Sequence, residues 1–141
     1  MKHNKLFEYA VLFIICGITY YLLEVLARGH SYFSMLVVGG LAGVLIGGLN
    51  NTIYNWSTPL ILQQFVSMLI ITSLELISGL ILNTWLNLGI WDYSNQWGNI
   101  AGQICPKFMV LWFFVSLIGI FIDDFVRWKF FDEDKPHYKL F

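Results

Sequence analysis

Between Leu60 and Leu82 the chain carries a single ionisable side chain, Glu75, in a run that is otherwise uncharged and mostly apolar. A stretch of that length reads as a membrane-crossing helix, because about 20 apolar residues span the roughly 30 Å of hydrocarbon in a bilayer. A carboxyl near the middle of such a helix is costly, by roughly 2.5–3.5 kcal/mol on insertion scales. It is expected to face a protein interior or a watery cavity and to have a partner there. Glu75 is therefore the first pointer to where this chain works.

The rest of the composition agrees with a lipid environment. Only 12% of the 141 residues are charged and 57% are hydrophobic. Soluble domains carry about 25% charged residues, so lipid must cover much of this surface. A net charge of −1 gives no reason to expect a nucleic-acid partner. Lys2 and Lys5 precede an apolar stretch, but Leu6–Leu26 is too long for a signal-peptide core and reads as a retained anchor. Cys16 and Cys105 have no metal-type spacing and are expected to be unpaired thiols, and His3, His30 and His137 are too scattered to make a metal site. Neither a metal nor a cofactor is expected.

Four apolar runs organise the chain. Leu6–Leu26 reaches roughly 31 Å as a helix, with Glu8 and Glu24 near its ends, where side chains can reach headgroups. After the polar hinge Arg28-Gly29-His30-Ser31, a glycine-rich span runs from Tyr32 to Leu49. A turn from Asn50 to Pro59 leads to Leu60–Leu82, with Pro59 suited to a helix's first turn. The stretch Asn83–Asn99 mixes aromatics with amides and glycines and reads as loop or interfacial structure. The last run, Phe108–Ile122, spans only roughly 22 Å before Asp123-Asp124. It either extends amphipathically through Phe125 and Trp128, meets a thinned membrane, or is preceded by a re-entrant segment at Ile100–Ile104. The fold expected is all-α, a membrane bundle of about four transmembrane helices over residues 1–129, followed by a polar cytoplasmic tail over 130–141.

Charge asymmetry sets the expected orientation. With an even number of spans, Lys2, Lys5, Arg127, Lys129, Lys135 and Lys139 share one side, against Arg28 and Lys107 on the other. Both termini are then cytoplasmic, in a bacterial inner membrane, and Trp85, Trp91 and Trp97 belong to the outer interface.

Two patterns carry further expectations. Gly39, Gly43 and Gly47 form consecutive G-x-x-x-G steps, which let another backbone approach closely. The approaching helix belongs either to the same bundle or to a second copy in a homo-oligomer. On the third span Gln64, Ser67, Thr72, Glu75, Gly79 and Asn83 fall near one face. Such a stripe lines a cavity or satisfies partners inside a bundle. Arg28 can balance Glu75 or Glu24, and the four-residue spacing favours Glu24. Glu75 then needs a hydroxyl, an amide, the Asp92 loop, or a proton. No phosphate-binding G-x-x-x-x-G-K-[ST] loop and no nucleophile–base set occurs, so enzymatic activity is not expected.

The segments RGHSYFSMLVVGGL (Arg28–Leu41), ITSLELISGLILN (Ile71–Asn83) and WDYSNQWGNIAGQIC (Trp91–Cys105) resemble one family. These are the small bacterial membrane proteins termed ABC-transporter type IV, or CmpB-like permeases. The short form also occurs in phages and prophages, and the ending PHYKLF is similar to theirs. Glu75, Asn83, Trp91, Asp92, Tyr93, Ser94, Asn99, Gly102 and Gln103 match the family's motif positions; the N-R-G-x-L-x-G-P motif of longer members is absent. The resemblance implies a transporter membrane component and attaches no ligand role to these residues. The reading taken is such a component, self-associating or recruiting a separate ATPase, with an intramembrane polar site expected at Glu75, Asn83, Asp92, Tyr93, Asn99 and Gln103 beside Glu24 and Arg28. A phage holin, which accumulates in the inner membrane and then assembles into lesions, is the alternative, and a scaffold without transport is a third.

Overall fold

Helix α1, Lys5–Arg28, starts where the Asn4 side chain accepts the Leu6 N–H at 2.9 Å. That bond satisfies one of the donors every helix start leaves open. It stops at Gly29, whose φ of 83° turns the chain back while its N–H closes on the Val25 carbonyl. Helix α2, Phe33–Thr52, returns alongside α1. Helix α3, Leu60–Gly79, continues into a six-residue π-helical stretch, Leu80–Trp85. Helix α4, Pro106–Phe130, opens on a proline, which has no N–H to leave unsatisfied there. The computed structural model describes residues 4–52, 58–133 and 135–138. The turn expected from Asn50 to Pro59 lies partly outside these, as do Lys2, His3 and Lys139.

Large apolar side chains point outward all along the bundle, among them Leu26, Phe65, Ile77, Val110 and Phe114. The buried face of α3 is the more polar one, carrying Gln63, Gln64, Ser67, Thr72 and Glu75. A water-soluble bundle has the reverse arrangement; this one fits a lipid surround. Three helical stretches, Lys5–Arg28, Leu60–Trp85 and Pro106–Phe130, are long and apolar enough to cross a membrane, and Phe33–Leu49 is a shorter apolar helix. The molecule is a helical membrane bundle.

Glycines set the closest contact, between α1 and α2. A Cβ on Gly43 would collide with the Cβ and Sγ of Cys16, and one on Gly40 would lie 2.8 Å from the Phe13 carbonyl oxygen. Gly39 meets Tyr20 in the same way, and on α1 Gly17 meets the Leu36 carbonyl. Gly47 instead faces Asp123 of α4. The G-x-x-x-G groove is thus filled from within the chain.

The last third of the chain extends what its sequence suggests. Helix α4 does not end at Asp123-Asp124 but runs to Phe130, because both aspartates are buried and held rather than solvated. This is the extension through Phe125 and Trp128, one of the three readings of the short fourth run. Ile100 and Ile104 form an isolated antiparallel bridge across a tight turn. The C-terminal stretch keeps Asp132, Lys135 and His137 exposed but anchors two aromatic side chains on the bundle's end. Phe131 is buried against Leu12 and Val126, and the Tyr138 hydroxyl donates to Asp124 at 2.7 Å.

Candidate intramembrane site

Glu75 is 5% exposed. Each carboxyl oxygen has one donor: the Tyr93 hydroxyl reaches Oε1 at 2.9 Å and the Trp112 indole Nε1 reaches Oε2 at 2.7 Å. Tyr93 is aimed by its ring, which stacks on Phe108 with centroids 4.5 Å apart. Phe108 and Trp112 stand one turn apart on α4, so a single helix face positions both donors. An indole N–H can only donate, whereas a hydroxyl donates and accepts. A proton on this acid therefore belongs on Oε1, handed toward the Tyr93 oxygen, while Oε2 keeps accepting from Trp112. Burial, followed by the charge of Glu75, pushes the Tyr93 hydroxyl well above its ordinary range, so Tyr93 stays neutral and donates to the ionised acid or accepts from the protonated one.

Among the described residues no Lys, Arg or His pairs with Glu75. Arg28 is engaged elsewhere: its guanidinium lies 3.6 Å from Glu24 and donates to the Ile90 carbonyl at 3.0 Å. Glu24 also accepts from Tyr20 at 3.1 Å and Ser31 at 2.9 Å. The Tyr20 ring in turn lies beside Trp112, centroids 5.9 Å apart. Glu75 and Glu24 are thus linked through two aromatic side chains.

The loop after the π-helical stretch is held by amides. Asn83 donates to Gln103 Oε1 at 2.9 Å and accepts the Ile90 N–H at 2.7 Å. Trp91 turns inward, its indole donating to the Gln103 carbonyl at 3.0 Å, whereas Trp85 and Trp97 are exposed. Asn99 ties the loop to itself, donating to the Ser94 and Gln96 carbonyls and accepting from the Gly102 N–H. Gly79 lets this loop settle on α3, since a Cβ there would collide with Gln103 and Trp91.

Asp92 does not join Glu75. It is exposed, and its carboxyl accepts the Ser94 N–H at 2.9 Å, which holds it below the usual carboxylate range. Of the positions singled out by sequence, the structure brings Tyr93 onto Glu75 directly. It places Asn83, Gln103 and Gly79 in the adjoining loop contact, and Glu24 and Arg28 as a separate pair. Trp112 and Tyr20 were missed. An indole N–H buried inside a span needs an acceptor, and that requirement was the available signal for Trp112.

A crevice opens beside the carboxyl, between all four helices. Its walls include Leu23, Val38, Ala42, Ile46, Leu74 and Trp112, with Glu75 among them. Cys16 lines it too; like Cys105, it is buried and unbridged. Among the described residues no cluster of three or more His, Cys, Asp and Glu side chains is placed to hold a metal ion.

A second polar cluster, also missed, lies at the opposite end. Arg127 bonds Asp123 through Nε at 2.8 Å and lies 3.5 Å from Glu8, both acids being 1% exposed. Lys5 joins Glu8 at 3.0 Å to Glu133 at 2.9 Å. Glu8 is thus inside the bundle, not among headgroups, because α4 brings it a cation.

No curated protein and no solved structure matches the chain at a significant level. The family model described as Putative ABC-transporter type IV matches residues 7–135, nearly the whole length, and the chain belongs to that family.

Proposed function

We propose that this protein is a transporter-type component of the bacterial cytoplasmic membrane, not an enzyme, and that its working site is the Glu75 junction with Tyr93 and Trp112. The observation that carries this reading is a buried carboxyl met only by neutral donors, at the wall of a crevice inside the membrane bundle. An ionised carboxylate in such surroundings is poorly compensated, so a structural role alone would be served as well by an amide. Lacking a nucleotide-binding motif of its own, the chain works through a homo-oligomer or with a separate ATPase. Both termini face the cytoplasm in this reading. The Lys5–Glu133 contact, which puts them at one end of the bundle, supports an even number of crossings.

Glu75→Gln tests the site, since it keeps size and hydrogen bonding while removing the exchangeable charge. Inducible expression, followed by growth, membrane potential and dye leakage, should show the variant inserted but silent. Normal behaviour of a stably expressed Glu75→Gln protein would reduce Glu75 to a packing residue. Abrupt dye leakage from the wild type would favour the holin alternative, although α2's glycines, a natural surface for self-assembly, are already in contact with α1 and α4. Reporter fusions after Arg28, Asn51, Asn95 and Lys135 should read outside, inside, outside, inside; a periplasmic C-terminus overturns the orientation.

A further inference from the structure

We propose that the crevice beside Glu75 takes a lipophilic monocation, an amine or quaternary ammonium with an apolar body, in exchange for a proton. This rests on the reading of Glu75 as the working site and adds the class of molecule that site takes.

The walls select against other ligands. An anion finds no positive charge among the residues that line the crevice, and the nearby Arg28 is held by Glu24 and the Ile90 carbonyl. A small hydrated cation needs about six oxygen ligands. The crevice offers fewer, its side-chain oxygens being those of Thr19, Tyr20, Glu75 and Ser116. A neutral acyl chain would fit the apolar lining but would leave the carboxyl desolvated with nothing gained. A cation with an apolar body satisfies both halves of the site. Its charge meets Glu75, and the Tyr20 and Trp112 rings line the crevice beside that carboxyl. Its body meets Leu23, Val38, Ile46 and Leu74.

The exchange balances. In the empty site the acid carries a proton on Oε1. When the cation enters, that O–H bond breaks, the proton leaves to water, and the carboxylate remains as counter-charge, so the bundle's net charge does not change. The titratable groups that line the crevice or act on Glu75 are Cys16, Tyr20 and Glu24 from α1 and Tyr93 from the loop. The residues of α2 and α4 that line the crevice bring no titratable side chain, α4 contributing the Trp112 indole.

The test is calorimetric titration of purified protein with benzyltrimethylammonium and with neopentylbenzene, its uncharged isostere, in buffers of different protonation enthalpy. Wild type should bind the cation with release of about one proton and bind the isostere at least about tenfold more weakly. Glu75→Gln should lose at least about tenfold in cation affinity, and so should Ala42→Leu, which fills the crevice and keeps the carboxyl. Absence of cation binding, equal binding of the isostere, or undiminished binding by Glu75→Gln overturns the proposal. The two-probe comparison uses wild type alone, so it decides even where a variant fails to fold. Failure here can be told apart from failure of the functional reading. If Glu75→Gln is silent in cells but no cation binds, the site stands and the ligand class falls. If cation binding depends on Glu75 while the variant stays active in cells, the ligand site stands and its role falls.

Discussion

The two ends of this bundle hold buried carboxylates in opposite ways. At one end Glu8 and Asp123 share a guanidinium, and Lys5 and Glu133 extend the network to the C-terminal stretch. At the other, Glu75 is met by a phenol and an indole, and a crevice runs past it. The first arrangement is closed, each acid near a fixed cation. The second leaves a charge to be supplied from outside, as a proton or a ligand. A buried ion pair is weak evidence of net stabilisation, yet breaking one is strongly destabilising because the surviving charge is stranded. The Arg127 end should therefore govern integrity, and the Glu75 end activity.

The sharpest way to break this contrast is Arg127→Met. It removes the guanidinium that Glu8 and Asp123 share, leaving Lys5 near Glu8, and should destabilise the bundle by about 3–5 kcal/mol, the largest fall in detergent melting temperature among these changes. A melting temperature near wild type would mean that the cluster is not the lock described. Gly43→Leu probes the contact between the two ends, where the new side chain must displace Cys16. Overpacking of this kind costs about 1–3 kcal/mol, and the loss should appear without a change of oligomeric state. A shift toward monomer on gel filtration would assign the glycines to an interface between copies instead. Tyr93→Phe removes one donor from Glu75 but keeps the stack on Phe108. Its cost should be only about 0.5–1.5 kcal/mol, the net worth of one hydrogen bond. A loss rivalling that of Arg127→Met would show that the Glu75 end is as structural as the other.

What the sequence made legible follows from local rules. The four-residue spacing of Glu24 and Arg28 is a helical neighbour relation, and the structure has them 3.6 Å apart. Glu75 stood out by depth alone, and the glycine steps by their period. What stayed hidden depends on long-range partners. Asp123 and Arg127 have the same four-residue spacing as Glu24 and Arg28, a local signal overlooked because Asp123-Asp124 looked like a helix's exit into water. Only Arg127's further reach to Glu8 across the bundle has no announcement nearby in sequence. Trp112 looked like one more membrane aromatic, and its acceptor lies on another helix. The Asp92 loop was one of the partners offered for Glu75, and it is Tyr93 of that loop that reaches the carboxyl, while Asp92 is exposed and accepts the Ser94 N–H.

The π-helical stretch has a consequence for how related chains should be aligned. Between Leu80 and Trp85 the turns are wide, and the Leu86 N–H closes on Ile81, five residues back. Such a stretch behaves as one extra residue absorbed into a helix without breaking it. Deleting one residue there would let the stretch rewind as ordinary α with the helix on either side nearly in place, because the wide turns already absorb that residue. A homologue with one residue fewer between Gly79 and Asn83 can therefore keep Asn83 on Gln103 and Ile90. Such a chain should be aligned with its gap inside the helix, at the wide turns, and not in the loop that follows.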